Sequence, residues 1–226
     1  MTTASDPAKI PLRERKYLKT RLRLAQALRE QLETVSLEAL AVRDLCDRLE
    51  ISEATFFNYF PKKTDLLAYL GQLWSLELAW HGRQALAAGG GLAAVQAVFE
   101  RAAQQFQSAP GAAGEVIAAQ ARARARATPA ALTANECRLA FPGQPGIEAL
   151  EDQALEPVLT GALQRAVDRG ELPRNLHLPT AMVGLVAVFY GVPLALRLAN
   201  PAGIGAMYRQ QLALLWGGLR QAAVRG

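Results

Sequence analysis

The chain of 226 residues is predicted to be all-α. Apolar residues recur at helical spacing along most of it, Gly/Pro clusters break those runs into segments of helical length, and no stretch alternates convincingly as a strand. The nearest to an alternation is Ala121 to Ala127, where alanine and arginine take turns. Both residue types favour helices and are weak strand formers, so this stretch is read as helix too. The architecture expected is a small N-terminal three-helix head with a helix-turn-helix, over residues 11–70. A larger C-terminal helical bundle follows over residues 71–226.

In chain order, residues 1–10 read as a flexible arm. A first helix runs from Pro11, which suits a first turn, to about Thr34, with Leu18, Leu22, Ala25, Leu28 and Leu32 facing one side and the cations the other. Residues 35–40 connect it to the helix-turn-helix. Pro61-Lys62-Lys63 opens a fourth helix carrying Leu66, Leu67, Leu70, Leu73 and Trp74 to about Ala87. Glycines 89–91 stop it. Further helices are expected at about 92–108, 113–127, 129–140, 147–169 and 179–198, and a last one at 203–222. Pro110-Gly111, the Pro142 to Gly146 loop, Gly170 and Asn200 to Gly203 separate them.

Ala41 to Lys63 is the stretch with a chemical signature. Val42, Leu45, Cys46 and Leu49 fall at i, i+3, i+4 and i+7, one apolar stripe on a short helix. After Glu50-Ile51, Ser52 is placed to cap a second helix whose inward face is Phe56 and Phe60. The opposite face offers Glu53, Ala54, Thr55, Phe57 and Asn58: small, polar or flat side chains suited to a major groove. Leu45-Cys46, Ile51-Ser52, Ala54 to Pro61, Lys63 and Asp65-Leu66-Leu67 together resemble the DNA-binding domain of the TetR family, the tetracycline-repressor-like regulators. Upstream, Arg23-Leu24 and Ala27 extend the likeness, which covers roughly residues 13–70. Four positions depart from the family pattern. Ala41 lacks a capping hydroxyl, Cys46 stands for a small alanine, Glu50 for the turn glycine, and Phe57 for a tyrosine. If that turn needs positive φ, glutamate is strained there as glycine would not be.

The resemblance implies a transcriptional regulator, more often a repressor than an activator, on double-stranded DNA with a near-palindromic operator. Its candidate DNA-binding residues are Arg43, Ser52, Glu53, Ala54, Thr55, Phe57, Asn58, Tyr59, Lys62 and Lys63. Of these, Lys63 and Tyr59 are expected on phosphates, and Glu53, Thr55, Phe57 and Asn58 on bases. Lys9, Arg13, Arg15, Lys16, Lys19, Arg21, Arg23 and Arg29, with Glu14 the one acid among them, form a cationic arm and first helix suited to the same polyanion. The net charge of +5 agrees with such a partner without requiring it.

A single helix-turn-helix reads few base pairs, so a homodimer is expected. The last two helices are the candidates for its interface, through Met182, Leu185, Phe189, Leu212, Leu215 and Trp216, with Gly184 and Gly191 allowing close approach; the family resemblance implies the same pair. The resemblance also implies a small-molecule effector. Trp74, Phe99, Phe106, Phe141 and Arg122, the last four residues before Arg126, are candidates to line its site, although ordinary core packing is the preferred reading of each ring.

Enzymatic chemistry finds no support. His81 and His177 are the only histidines, neither with a neighbour at metal-ligand spacing, and the Gly89 to Gly91 run lacks the Lys-Ser/Thr of a phosphate loop. No cofactor or metal is expected. Two cysteines without a disulfide framework and a polar N-terminus suit the cytoplasm. Leu178 to Leu196 carries no charge and is long enough to span a bilayer, but it contains Pro179, Gly184, Gly191 and Pro193, so a buried or dimer-forming helix is the preferred reading and no membrane partner is expected. The alternative from another class is a helical protein-interaction or membrane-associated module without sequence-specific DNA binding.

Overall fold

The computed structural model describes residues 10–123, 131–150 and 153–224. Among them are ten α-helices: α1 Leu12–Gln31, α2 Val42–Leu49, α3 Glu53–Tyr59, α4 Lys63–Ala87, α5 Leu92–Ser108, α6 Pro110–Arg122, α7 Ala134–Ala140, α8 Leu155–Asp168, α9 Leu178–Leu196 and α10 Ile204–Val224. No strand occurs among the described residues. The all-α expectation therefore holds. The expected arm lies outside the described residues except for Ile10, which is buried. Lys9, Arg124, Arg126 and the opening of the helix expected at 129–140 also lie outside them.

Three boundaries differ from the sequence expectation, each for a local reason. α6 begins at Pro110, where the missing N–H costs nothing in a first turn, so the Pro-Gly pair starts a helix. α7 begins at Ala134 because Thr133 caps it, its Oγ1 accepting from the Glu136 amide at 3.2 Å. The helix expected from 147 starts only at Leu155; Ile147–Ala149 form a single 3-10 turn.

The chain divides into two compact units, one of residues 1–77 and 115–153, the other of 78–114 and 154–226. The head and bundle expected at 11–70 and 71–226 are drawn on expected function. Compactness instead groups residues 115–153 with the head. In the first unit, Leu24, Leu28, Leu45, Phe56 and Leu66 are fully buried, so α1 to α3 and the start of α4 share one core. α1 packs on both α2 and α7. In the second unit α5 packs against α8 and α10, and α10 against α9. Here the rings of Phe99, Phe106, Phe189 and Tyr208 meet mostly edge to face, with centroids 4.9 Å apart for Phe99 and Tyr208 and 5.5 Å for Phe99 and Phe189. Burial raises the Tyr208 phenol well above its ordinary range, and its hydroxyl donates to the Phe189 carbonyl at 2.6 Å. Gly184 lets α9 and α10 approach closely. A Cβ there would meet Leu215 Cδ1 at 2.8 Å.

Candidate nucleic-acid interface

The turn between α2 and α3 is a Schellman motif. The Ile51 amide donates to the Cys46 carbonyl at 3.0 Å and the Glu50 amide to Asp47 at 3.3 Å, while Glu50 takes φ 55 and ψ 43. Glu50 is the only non-glycine residue with positive φ among the described residues. The glycine usual in such a turn would adopt this geometry without strain, so the expectation raised by Glu50 is met. Ser52 then caps α3: its Oγ accepts from the Thr55 amide at 3.1 Å and pairs with Thr55 Oγ1 at 2.8 Å. Phe56 and Phe60 point inward, both buried. Glu53, Ala54, Phe57 and Asn58 are exposed and Thr55 and Tyr59 half-buried, so the candidate reading residues share the outer side of a helix fixed from within.

The cationic candidates fall into different settings. Arg43 is exposed and pairs with Asp47 at 3.6 Å, one turn along α2. Lys62 is exposed, and its backbone amide donates to Asp65 Oδ2 at 3.0 Å, which caps the start of α4. Lys63 is half-buried. Its Nζ donates to the carbonyls of Glu38 at 2.8 Å and Leu40 at 3.1 Å, clamping the α1–α2 connector and leaving one N–H. On α1, Arg13, Lys16, Lys19 and Arg23 are exposed, as expected of a polyanion-binding face. Arg21 is not part of that face. It lies under the head with its Nε 3.5 Å from Glu136 Oε1, because helical spacing turns it toward α7. Arg48 is paired with Glu30, tying α2 to α1.

Sequence reasoning missed Tyr17. This α1 tyrosine, about two-fifths exposed, stacks on Tyr59 with centroids 4.8 Å apart and planes 29° from parallel. An aromatic among the cations of α1 was the available signal.

The remaining candidates separate between the two units. Trp74 and Phe141 are half-buried and Arg122 is exposed, all in the first unit, whereas Phe99 and Phe106 belong to the aromatic core of the second. Of the candidate interface residues, Leu185, Phe189, Leu212 and Trp216 are buried within the protomer, and Met182 and Leu215 are half-buried. Among the described residues, the exposed large apolar side chains of α9 and α10 are Val183, Val186, Leu194 and Leu214. On an all-apolar helix, spacing alone does not tell the inner face from the outer. Gly191 has open space beyond its Cα. Leu178–Leu196 is one helix long and apolar enough to cross a membrane, with a mean hydropathy of 1.8. Among the described residues no group of three or more His, Cys, Asp or Glu side chains is placed to hold a metal.

A capped short helix with an outward face of base-reading residue types, held over a second helix beside a cationic third, defines a helix-turn-helix DNA-binding protein. Residues 24–70 match the family model described as bacterial regulatory proteins, tetR family. The match supports a TetR-family DNA-binding transcription regulator. None of the curated proteins compared with the chain matches it.

Proposed function

We propose that the chain is a cytoplasmic, homodimeric repressor, released from a near-palindromic operator by a small-molecule effector. The observation that carries the reading is the outer side of α3, with Glu53, Ala54, Phe57 and Asn58 exposed on a helix fixed by Ser52, Phe56 and Phe60. In this reading Glu53, Thr55, Phe57 and Asn58 contact bases. Arg43, Ser52, Tyr59, Lys62, the free donor of Lys63 and the exposed cations of α1 contact phosphates.

Dimerisation is assigned to α9 and α10. Val183, Val186, Leu194 and Leu214 are exposed there, and Gly191 has nothing to prevent close approach by a second copy. Met182 and Leu215 would flank that contact, with Leu185, Phe189, Leu212 and Trp216 supporting it from beneath. The effector is assigned to the helices after the head. Trp74, Phe141 and Arg122, all in the first unit, would contact it, while Phe99 and Phe106 serve the core of the second. By linkage, an effector lowers DNA affinity only by its preference for the released conformation, typically ~1–3 kcal/mol.

The test is to incubate the protein with sheared genomic DNA at moderate salt and sequence the bound fragments. A sharply enriched near-palindrome is expected; uniform, salt-labile recovery would refute sequence reading. Against the enriched site, Asn58→Ala should relax base preference, whereas Lys62→Ala should weaken all sequences and reduce the salt slope by about 0.9.

The apolar helix Leu178–Leu196, with 28% of its most apolar 18-residue window buried, is the observation behind a second reading as a membrane-associated or protein-interaction module. Sedimentation with membranes after lysis without detergent would support that reading. A dimer left in the supernatant would support the repressor.

A further inference from the structure

The segment 134–140 lies outside the stretch matched by the family model, yet α7 grips the first helix of the head at two points. Asn135 Nδ2 donates to Glu14 Oε1 at 2.8 Å, and Glu136 Oε1 lies 3.5 Å from Arg21 Nε. Glu14, Tyr17 and Arg21 fall at i, i+3 and i+7 on α1, so the two grips bracket Tyr17. Glu136 is only 2% exposed and also accepts a 2.7 Å hydrogen bond from the Tyr69 hydroxyl. Burial, then the bond to Glu136 and its charge, raise the Tyr69 phenol well above its ordinary range, so it remains a donor.

The Arg21 guanidinium lies over three rings, 4.3 Å from the centroid of Tyr69, 5.2 Å from Phe60 and 5.9 Å from Tyr17. Tyr17 stacks on Tyr59, and Phe60 is the residue after it. A contiguous set of contacts therefore runs from a buried carboxylate on α7 to the last residue of the reading helix. The Arg21–Glu136 contact at 3.5 Å is a charge pairing without a hydrogen bond at Arg21 Nε; the carboxylate, itself held by the Tyr69 hydroxyl, places the guanidinium by charge, and the rings beneath it set its plane.

We infer that Glu136 is a positioning residue for DNA recognition: it fixes Arg21, and through Arg21 the Tyr17–Tyr59 stack that orients Tyr59 at the end of α3. The inference rests on the DNA-binding reading for its purpose, but the orientation of the stack is measurable without DNA.

The experiment uses the full chain with 3-fluorotyrosine at its five tyrosines, the fluorine resonances being assigned with single Tyr→Phe variants. In the free protein, Glu136→Gln should shift the resonances of both Tyr17 and Tyr59. Cys137→Ala, which removes a fully buried neighbour on the same helix, should leave them in place. On an enriched DNA fragment, Glu136→Gln should weaken binding about tenfold in the natural background and by less than about twofold in a Tyr17→Ala background. Unmoved resonances, or equal affinity losses in the two backgrounds, overturn the inference. Should Glu136→Gln fail to fold, Arg21→Lys keeps the charge opposite Glu136 while removing the planar group from the rings, and must move the same two resonances. A protein that prefers no DNA sequence overturns the DNA-binding reading, and the fluorine shifts still decide whether Glu136 sets the stack.

Discussion

The α2–α3 pair and the α9–α10 pair are both helical hairpins in which apolar side chains do most of the holding, yet they dispose of those side chains differently. In α2 and α3, Leu45, Cys46 and Phe56 are covered by the protomer's own core, and Phe57 is the single large apolar side chain left half-exposed. In α9 and α10 an inner face of Leu185, Phe189, Leu212 and Trp216 is covered, while an outer face of Val183, Val186, Leu194 and Leu214 is not. The head is complete within one chain. The second pair leaves large apolar side chains exposed, the feature on which the proposed dimer rests.

The contrast is broken most severely from inside the head. Phe56→Ala should cost roughly 3–5 kcal/mol and unfold it, seen as loss of the first thermal transition together with DNA binding. Phe57→Ala, one residue along and outward, should leave stability within about 0.5 kcal/mol and alter DNA binding alone. If both variants melted alike, the inner and outer assignment of α3 would be wrong.

The same comparison on α9 sets Leu185→Ala against Val183→Asp. The first should lower stability by roughly 2–5 kcal/mol through a core cavity. The second should keep the protomer folded by circular dichroism and shift the sedimentation coefficient from dimer to monomer. Retention of a dimer by Val183→Asp would move the interface elsewhere.

Smaller effects test how the reading helix is held. Ser52→Ala removes the acceptor for the Thr55 amide and should cost about 1 kcal/mol in a urea titration of the head. Glu50→Gly acts in the opposite direction. Relief of the left-handed strain at φ 55, less the added freedom of the unfolded chain, should raise stability by ~0.5 kcal/mol. A loss on Glu50→Gly would mean that the glutamate side chain makes a contribution larger than the strain.

Much of the head is legible in the sequence because its signals are local. The α2 stripe, the Ser52 cap and the Phe56–Phe60 inward pair depend on spacings of three to four residues, which helix geometry converts directly into a face. The strained turn is legible only through the family resemblance, in which a glycine usually stands where Glu50 follows Leu49. Contacts across long sequence separations have no such signal. Nothing in the first helix marks Arg21 apart from its neighbouring cations; it differs only because Glu136, more than a hundred residues later, arrives beneath it. Lys63 likewise reads as a phosphate ligand beside a helix start, whereas its ammonium is largely engaged by the carbonyls of residues 38 and 40.

By itself the sequence determined the all-α class, the helix-turn-helix and the residues on its outer side, because each follows from periodicity and capping within a single turn or two of helix. Only the tertiary structure decided which face of α9 is inner, that α7 joins the head's own compact unit, and that a buried carboxylate stands behind Tyr17 and Tyr59. Those outcomes depend on which helix packs against which, and an apolar or charged side chain carries the same local signature whatever surface it eventually meets.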